Sequence, residues 1–289
     1  MTTYAVTGAT GNLGGLAVAA LLENGVAPGD IVAIVRDAGR AASLSDQGVR
    51  VRVADYTDPA ALATALSGVD RLLLISSSEV GQREAQHANV IRAASEAGVA
   101  LIAYTSLLGG EASPLTVLRA EHVATEKLLA ESGLRTVVLR NGWYWENYLA
   151  SAPTAIEGGV LYGAAGDGVV AGAARGDYAA AAAAALIADD PRPVYELAGS
   201  HPLTYAGIGD VLAEVSGKPV RYQDLPESAY ADALAGAGLP QPVAAMLADS
   251  DAGAAQGGLN GSSADLEELI GRTSASFADV ARPALATSV

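Results

Sequence analysis

The first residues with the potential for chemistry form a glycine-rich segment near the N-terminus, TTYAVTGATGNLGG at 2–15. Gly8, Gly11 and Gly14 recur at a spacing of three directly after a short apolar run. In a strand–turn–helix unit, such glycines allow a tight turn, close approach of the backbone to a pyrophosphate, and close packing of the helix on the strand. The free N–H groups at the start of the helix attract phosphate. We therefore expect a dinucleotide-binding loop rather than a turn without a ligand. Its expected cofactor-binding residues are Gly8, Ala9, Thr10, Gly11, Asn12 and Leu13.

The residues that follow the second and third apolar runs bear on which dinucleotide binds. IVAIVRD at 31–37 places Arg36 directly after the second run, where the adenosine ribose is met. An arginine at this position accommodates the 2′-phosphate of NADP, whereas an acidic residue binds the 2′-hydroxyl of NAD. We expect Arg36 to bind the 2′-phosphate, with a solvated surface charge as the alternative. Asp37 either starts the next turn or weakens the preference for NADP. Asp55 fits a contact with adenine and an Asx turn equally well.

In two later segments, side chains that suit a ligand stand at the end of an apolar run. ISSSEVGQR at 75–83 carries three serines, which could contact the cofactor, cap turns, or do both. RNGWYWENY at 140–148 places aromatic residues around an Asn-Gly turn, which suits a flat apolar substrate near the nicotinamide. The alternative is that most of these aromatic side chains form core. The further expected cofactor-binding residues are Ser76, Ser77, Ser78, Asn141, Gly142, Trp143 and Tyr144.

The helix after the fifth apolar run lacks a familiar proton donor. Short-chain dehydrogenases carry a Tyr-x-x-x-Lys pair there, in which the lysine lowers the pKa of the phenol. This chain reads RAEHVATEKLL at 119–129, with Val123 four residues before Lys127. The change disfavours alcohol–ketone exchange and sugar epimerisation, while quinones accept a hydride with little acid assistance. Lys127 either binds the nicotinamide ribose or lies on the surface beside Glu131. The candidate donors to a substrate are Tyr104, Lys127 and Asn147.

The elements that must position these residues alternate regularly. Six apolar runs alternate with helical segments, several of which end at glycine. This pattern predicts an α/β fold with a doubly wound parallel Rossmann sheet, whose ligands bind at the carboxyl ends of the strands. We expect an NADP-binding Rossmann domain over 1–150, rejoined by a strand at 194–199, and a smaller substrate-covering α/β lobe over 151–289. The expected strands are 3–7, 31–35, 49–55, 71–75, 101–105 and 136–139, and the expected helices include 12–24, 59–67, 82–97, 117–132, 204–216, 227–236 and 263–270.

Composition excludes several classes of function. Acidic residues outnumber basic ones by 32 to 17, and the net charge of −15 repels phosphate backbones and anionic lipid, so we expect neither a nucleic-acid nor a membrane partner. The chain has no cysteine, which removes disulfides and thiolate chemistry. We expect no metal site, because Glu84-x-x-His87 has no second copy and because His122 and Glu126 fit a solvated pair better. The N-terminus lacks a signal-peptide pattern, so a cytoplasmic enzyme is expected.

Many segments together resemble one known family. They include GATGNLG, IVAIVRD, ADYTD, LLLISSSEVGQR, AYTSLL, EHVATEKLL, LRNGWYWENYLASAP, GAAGDG, GDYAAAAA, VYELAG and MLADSDAGAAQGGL. These segments resemble the bacterial NADPH:quinone oxidoreductases of the NmrA-like group of atypical short-chain dehydrogenases/reductases, over nearly the whole chain. The resemblance implies a Rossmann domain with a small α/β lobe, NADPH as cofactor, and one-step two-electron reduction of a quinone to a hydroquinone without flavin.

The resemblance also implies where the ligands bind. It places the NADPH phosphates on Gly8 to Leu13, the 2′-phosphate near Arg36, and the nicotinamide end near Ser76–Ser78 and Asn141–Tyr144. The family pattern also lacks the tyrosine, so Val123 fits it. The implied partner is a small-molecule quinone, and a homodimer is left open. Two alternatives remain: a non-catalytic NADP(H)-binding redox sensor of the NmrA type, and an enzyme that reduces an activated double bond with help from a lysine.

Overall fold

The computed structural model describes residues 1–79 and 81–286. Eleven strands lie in these residues. Their bounds are β1 (Tyr4–Thr7), β2 (Ile31–Val35), β3 (Arg50–Val53), β4 (Arg71–Leu74), β5 (Leu101–Leu107), β6 (Arg135–Asn141), β7 (Val160–Gly163), β8 (Val169–Val170), β9 (Val194–Leu197), β10 (Leu203–Thr204) and β11 (Arg221–Asp224).

Thirteen α-helices lie in the same described residues, together with short 3-10 turns at Pro28–Asp30, Ala38–Ala41 and Gly110–Ala112. The helices are α1 (Asn12–Glu23), α2 (Ala42–Asp46), α3 (Pro59–Leu66), α4 (Arg83–Glu96), α5 (Thr116–Glu131), α6 (Glu146–Leu149), α7 (Ala152–Gly158), α8 (Arg175–Ile187), α9 (Tyr205–Ser216), α10 (Glu227–Gly236), α11 (Gln241–Ala255), α12 (Ala264–Ile270) and α13 (Phe277–Ala286). None of the helices in the described ranges is long and apolar enough to cross a membrane.

The main sheet is the doubly wound sheet that the alternation predicts. Its strand order is β3-β2-β1-β4-β5-β6-β9. β1 pairs in parallel with both β2 and β4, β2 pairs in parallel with β3, and β4 pairs in parallel with β5. The order reverses between β1 and β4, and ligands bind at such a reversal in open α/β sheets. All seven expected strands are present, and the predicted fold class is confirmed.

The burial of individual strands follows their sequence patterns. β2 reads IVAIV and all five of its residues are buried, as expected for a strand covered on both faces. β3 reads RVRV, and the side chain of Val53 at its end is exposed. This strand lies at the edge of the sheet, and its alternating sequence is typical of a strand with one face less covered.

The chain divides into two compact units that interleave along the sequence. The first comprises Met1–Ser106, Glu121–Arg140 and Tyr178–Tyr195, and the second comprises Leu107–Ala120, Asn141–Asp177 and Glu196–Val289. The expected domains, 1–150 with the returning strand 194–199 and a smaller lobe over 151–289, stay a prediction beside this division. The boundaries between the two units fall inside β5, α5, β6, α8 and β9, so each of these elements begins in one unit and ends in the other.

Each unit has its own hydrophobic core. The core of the first unit includes Ile34, Leu72, Val90 and Tyr104. The core of the second unit is rich in aromatic residues and is accompanied by two small sheets, in which β7 pairs in parallel with β11 and β8 pairs antiparallel with β10. In that core the rings of Trp145 and Phe277 lie 5.5 Å apart between centroids.

Candidate active site

The glycine loop between β1 and α1 has the geometry that its spacing predicts. Gly8 has a φ of +58°, in the left-handed region that favours glycine. Its carbonyl oxygen accepts a hydrogen bond from the Gly11 N–H at 2.8 Å, which closes the turn. A Cβ on Gly14 would lie 2.2 Å from the same carbonyl oxygen. Gly8 therefore forms the turn, and Gly14 lets α1 pack directly against it.

The start of α1 is suited to binding an anion. Gly11 is the N-cap residue, and no side chain of the described residues caps this helix end. Gly11 and Asn12 are both exposed. The first N–H groups of a helix have no intrahelical acceptor, and the helix dipole favours negative charge beside them. The loop therefore fits the pyrophosphate of a dinucleotide.

Arg36 is exposed directly after β2, with 68% of its side-chain surface accessible. Its guanidinium forms an ion pair with Glu79 at 3.0 Å. Asp37 accepts a hydrogen bond from the Gly39 N–H at 2.8 Å and so caps the following 3-10 turn. Asp37 therefore has the turn role, and Arg36 remains the candidate for the 2′-phosphate.

Asp55 forms the Asx turn that was one of its two expected roles. Its carboxylate accepts hydrogen bonds from the Thr57 N–H at 2.8 Å and the Thr57 hydroxyl at 2.6 Å. These hydrogen bonds lower the pKa of Asp55. The contact with adenine remains a prediction.

The serine segment after β4 is fixed through its backbone. The Ser77 N–H donates to Nε2 of His87 at 3.0 Å, and the Ser77 carbonyl accepts from Nε of Arg83 at 2.8 Å. Burial lowers the pKa of His87 to about 3, so its ring is neutral, and its remaining proton lies on Nδ1, which donates to the Thr125 hydroxyl at 2.9 Å. The Ser76 N–H donates to the Thr105 hydroxyl at 2.9 Å. The sequence suggested no such role for His87.

Two catalytic candidates of the first unit are not placed to meet a substrate. The side chain of Tyr104 is fully buried, and its hydroxyl lies 2.7 Å from Nδ1 of His122. Lys127 is exposed, whereas the buried residues of α5 are His122, Thr125 and Leu129. At 100° per residue, Lys127 therefore lies on the opposite side of α5 from the sheet. Neither position favours a role as donor, and Lys127 belongs to the surface alternative, without an ion pair to Glu131 or any other described residue.

The neighbouring residue, Glu126, faces the sheet instead. Its carboxylate accepts a hydrogen bond from the Ser106 hydroxyl at 2.6 Å. It also accepts two hydrogen bonds from Arg140, at 3.1 Å from Nε and 2.7 Å from a terminal nitrogen. Glu126 and His122 were expected to form a solvated pair, but both are largely buried. In the sequence, the only indication of the buried group formed by Ser106, Glu126 and Arg140 was that Glu126 and His122 share one face of a helix.

The second unit holds the other candidate residues around the end of β6. Nδ2 of Asn141 lies 3.2 Å from the Tyr144 hydroxyl, and its Oδ1 is buried with no hydrogen-bond partner among the described residues. The Arg175 guanidinium lies 5.1 Å from the centroid of the Tyr144 ring and donates to Oδ1 of Asn147 at 3.1 Å. The four side chains form one polar cluster, which we call the Asn141 cluster (Asn141, Tyr144, Asn147 and Arg175). Sequence reasoning missed Arg175, which lies in a glycine- and alanine-rich stretch.

The other aromatic residues of this segment belong mostly to the core of the second unit. Trp143, Trp145 and Tyr148 all lie in that core. Gly142 donates its N–H to the Leu197 carbonyl at 2.7 Å. The expected division of the aromatic residues, with most in the core, agrees with this arrangement, and a cofactor contact of Gly142 or Trp143 stays a prediction.

Comparisons with known proteins agree with the fold. The model of the NmrA-like family matches residues 2–269. Quinone oxidoreductase 2 of Escherichia coli strain K12 is 54% identical over 276 residues, which are 95% of this chain and 96% of that protein. The crystal structure of an NADPH-dependent quinone oxidoreductase from Escherichia coli, complexed with NADPH, has a TM-score of 0.95 at 52% identity and covers 98% of this chain and all of the other.

A second solved relative is named as a reductase of a different substrate. The triphenylmethane reductase of Citrobacter sp., complexed with NADP(H), has a TM-score of 0.91 at 36% identity, over 98% of this chain and all of the other. Both the family match and the identity of the relatives extend along nearly the whole sequence, which confirms the resemblance. The chain belongs to the NmrA-like family and is a homologue of quinone oxidoreductase 2.

Proposed function

We propose that this chain catalyses the NADPH-dependent two-electron reduction of quinones to hydroquinones. The observation that carries the proposal is the β1–α1 loop, in which Gly14 fits only without a side chain and the start of α1 is uncapped. A relative named quinone oxidoreductase 2, at 54% identity over nearly the whole chain, supports the choice of a quinone as substrate.

In the first unit we assign the cofactor to the residues at the carboxyl ends of β1, β2 and β4. The N–H groups from Gly8 to Leu13 would bind the pyrophosphate, and Arg36 would bind the 2′-phosphate. Ser76 and Ser77 would lie beside the nicotinamide end, since hydrogen bonds to Thr105, His87 and Arg83 fix their backbone. Bound NADPH supplies the hydride of the reaction.

In the second unit we assign the Asn141 cluster to the substrate. A quinone that accepts a hydride becomes a hydroquinone anion, and one further proton completes the hydroquinone. Hydrogen-bond donors and positive charge stabilise such an anion. Arg175 supplies the charge, and because Arg175 occupies Oδ1 of Asn147, the Asn147 amide has its Nδ2 hydrogens to donate.

A steady-state assay tests this proposal. NADPH consumption is followed at 340 nm with a simple benzoquinone or naphthoquinone and corrected for the uncatalysed reaction. We expect rapid consumption with NADPH, slower consumption with NADH, and no need for added flavin. NADPH that binds in a titration but is not consumed with any quinone would contradict the proposal and favour the redox-sensor alternative.

A substitution in the Asn141 cluster tests the role of the second unit. We expect Asn147→Ala to lower kcat about tenfold, which corresponds to the loss of one hydrogen bond worth about 1.4 kcal/mol to a charged group. Asn260→Ala removes an exposed amide of the same unit and serves as the control. Equal kcat values for the two variants would remove Asn147 from the site.

A further inference from the structure

We propose that Glu79 narrows the preference of this chain for NADPH over NADH, because it competes with the 2′-phosphate for Arg36. The proposal rests on the assignment of Arg36 to the 2′-phosphate of NADPH and names the residue that opposes it. The part of the cofactor that Glu79 would influence is the 2′ position of the adenosine ribose.

The ion pair between Arg36 and Glu79 joins two loops of the first unit. Arg36 follows β2, and Glu79 belongs to the serine segment that follows β4. The distance between the guanidinium nitrogen and the carboxylate oxygen is 3.0 Å. Both side chains remain accessible, at 68% and 49% of their side-chain surface, so a ligand can reach the pair. The guanidinium that a 2′-phosphate needs is thus paired with a carboxylate.

The Glu79 carboxylate is held in this position by a buried neighbour. Nε2 of Gln86 donates to Oε2 of Glu79 at 2.8 Å, while Oε1 of Glu79 accepts from Arg36. Gln86 is 4% exposed, so its amide position is fixed by packing. The Glu79 N–H also donates to the Ser77 hydroxyl at 3.2 Å. Glu79 is thus a positioned anion and not a freely rotating surface side chain.

The consequence differs between the two dinucleotides. A 2′-phosphate carries negative charge, so it competes with Glu79 for Arg36 and is repelled by the same carboxylate. A 2′-hydroxyl carries no charge and can donate a hydrogen bond to a carboxylate, which is how acidic residues bind the ribose of NAD. Glu79 therefore weakens binding of NADPH, leaves NADH unopposed, and narrows the preference between them.

Binding of two small nucleotides isolates this effect from catalysis. Adenosine 2′,5′-bisphosphate and adenosine 5′-monophosphate differ only in the 2′-phosphate, and isothermal titration of the full chain gives the ratio of their dissociation constants. We expect Glu79→Gln to raise the preference for the bisphosphate about threefold to tenfold, somewhat more than a single exposed ion pair provides because repulsion of the phosphate is also removed. Glu84→Gln removes an exposed carboxylate from the first turn of α4 and controls for net charge.

Substitution of Arg36 separates this inference from the cofactor assignment. We expect Arg36→Met to abolish most of the preference for the bisphosphate, and Glu79→Gln to have little further effect in the Arg36→Met background. An unchanged preference in Glu79→Gln, together with its loss in Arg36→Met, would overturn the role of Glu79 and leave Arg36 in place. An unchanged preference in Arg36→Met would overturn the assignment of Arg36 itself. An equal effect of Glu79→Gln with and without Arg36 would overturn the competition.

Discussion

Gly14 is the residue on which the dinucleotide loop depends most strongly. A Cβ there would lie 2.2 Å from the Gly8 carbonyl oxygen and 2.9 Å from the Ala9 Cα, both of which are backbone atoms. The loop would have to move away from α1 to relieve these contacts. We expect Gly14→Ala to raise the dissociation constant of NADPH at least tenfold, measured by titration of the intrinsic cofactor fluorescence.

The adjacent Gly15 provides a matched control. A Cβ on Gly15 would lie 3.5 Å from the Ala9 carbonyl oxygen, an ordinary van der Waals distance. Alanine is favoured over glycine inside a helix by roughly 0.5–1 kcal/mol, so Gly15→Ala should bind NADPH normally and be slightly more stable. Equal affinities for NADPH in the two variants would contradict the role of Gly14.

Asp251 is a buried carboxyl group whose ionisation should be visible in the stability of the second unit. Burial raises its pKa from 3.8 to about 6, although hydrogen bonds from the Tyr205 hydroxyl and the Ala164 N–H partly offset this shift. A raised native pKa contributes stability below the unfolded value of 3.8, and this stability is lost as the pH rises through about 6. A shift of about two units corresponds to roughly 3 kcal/mol.

We therefore expect the advantage of the wild-type chain over Asp251→Asn to fall by roughly 2–3 kcal/mol between pH 4 and pH 7. Urea unfolding followed by tryptophan fluorescence is suited to this measurement, because both tryptophans, Trp143 and Trp145, lie in the core of the second unit. His87 has the opposite effect, because its lowered pKa makes the folded chain less stable as the pH falls from 6.5 towards 3. This effect is the same in the wild-type chain and in Asp251→Asn, so it cancels in the difference between their free energies of unfolding. A difference that stays constant with pH would contradict the raised pKa.

The sequence located the loop and the strand ends of the candidate site, because a backbone constraint or a strand end identifies such positions, and the cofactor contacts of these residues stay predictions. Gly8 and Gly14 are such residues, and Arg36 and the serines follow directly after strands. Lys127 and Glu126 show where this reasoning fails. They are neighbours on α5, and a rotation of 100° per residue separates the one that faces the sheet from the one that faces solvent. The sequence of a helix that carries polar residues on several faces does not determine which of them packs inward.

At the scale of elements, the seven strands of the main sheet were all predicted, whereas the short strands β7, β8, β10 and β11 of the two small sheets were not. Buried parallel strands are short apolar runs, and glycine marks the ends of the neighbouring helices. α11 is not among the expected helices, and its sequence contains Pro242 and Gly253, two residue types that are unfavourable inside a helix. Pro242 lies in the first turn, where its missing N–H has no cost, and Gly253 leaves room for Leu115, whose Cδ1 would lie 2.7 Å from an added Cβ. The need for glycine at 253 depends on the contact with Leu115, which the sequence alone does not reveal.

Asp249 links α11 to the start of α5. Its carboxylate accepts hydrogen bonds from the Thr116 hydroxyl and, at 3.0 Å, from the Val117 N–H, and so caps α5 from another element. We expect Asp249→Ala to lower the free energy of unfolding by about 1–2 kcal/mol, as for loss of an N-cap. Urea unfolding at pH 7 measures this change, with the exposed Asp232→Ala as a control within the same unit. Identical unfolding midpoints for the two variants would contradict the capping role.

At the scale of the whole molecule, the negative charge of the protein opposes the binding of NADPH, which is itself an anion. A net charge of −15 repels NADPH at long range, so binding requires local positive potential. The uncapped start of α1 and the Arg36 guanidinium supply this potential in the first unit. The homodimer that the sequence left open remains a prediction, and sedimentation of the purified chain would test it.

The most direct test of the account is a single turnover without added flavin. The chain is loaded with one equivalent of NADPH and mixed rapidly with a benzoquinone, while absorbance at 340 nm and the hydroquinone product are followed together. We predict that one hydroquinone forms for each NADPH consumed, with no semiquinone radical detected by electron paramagnetic resonance. Bound NADPH that persists in the presence of the quinone, or a semiquinone as the first product, would contradict direct two-electron reduction.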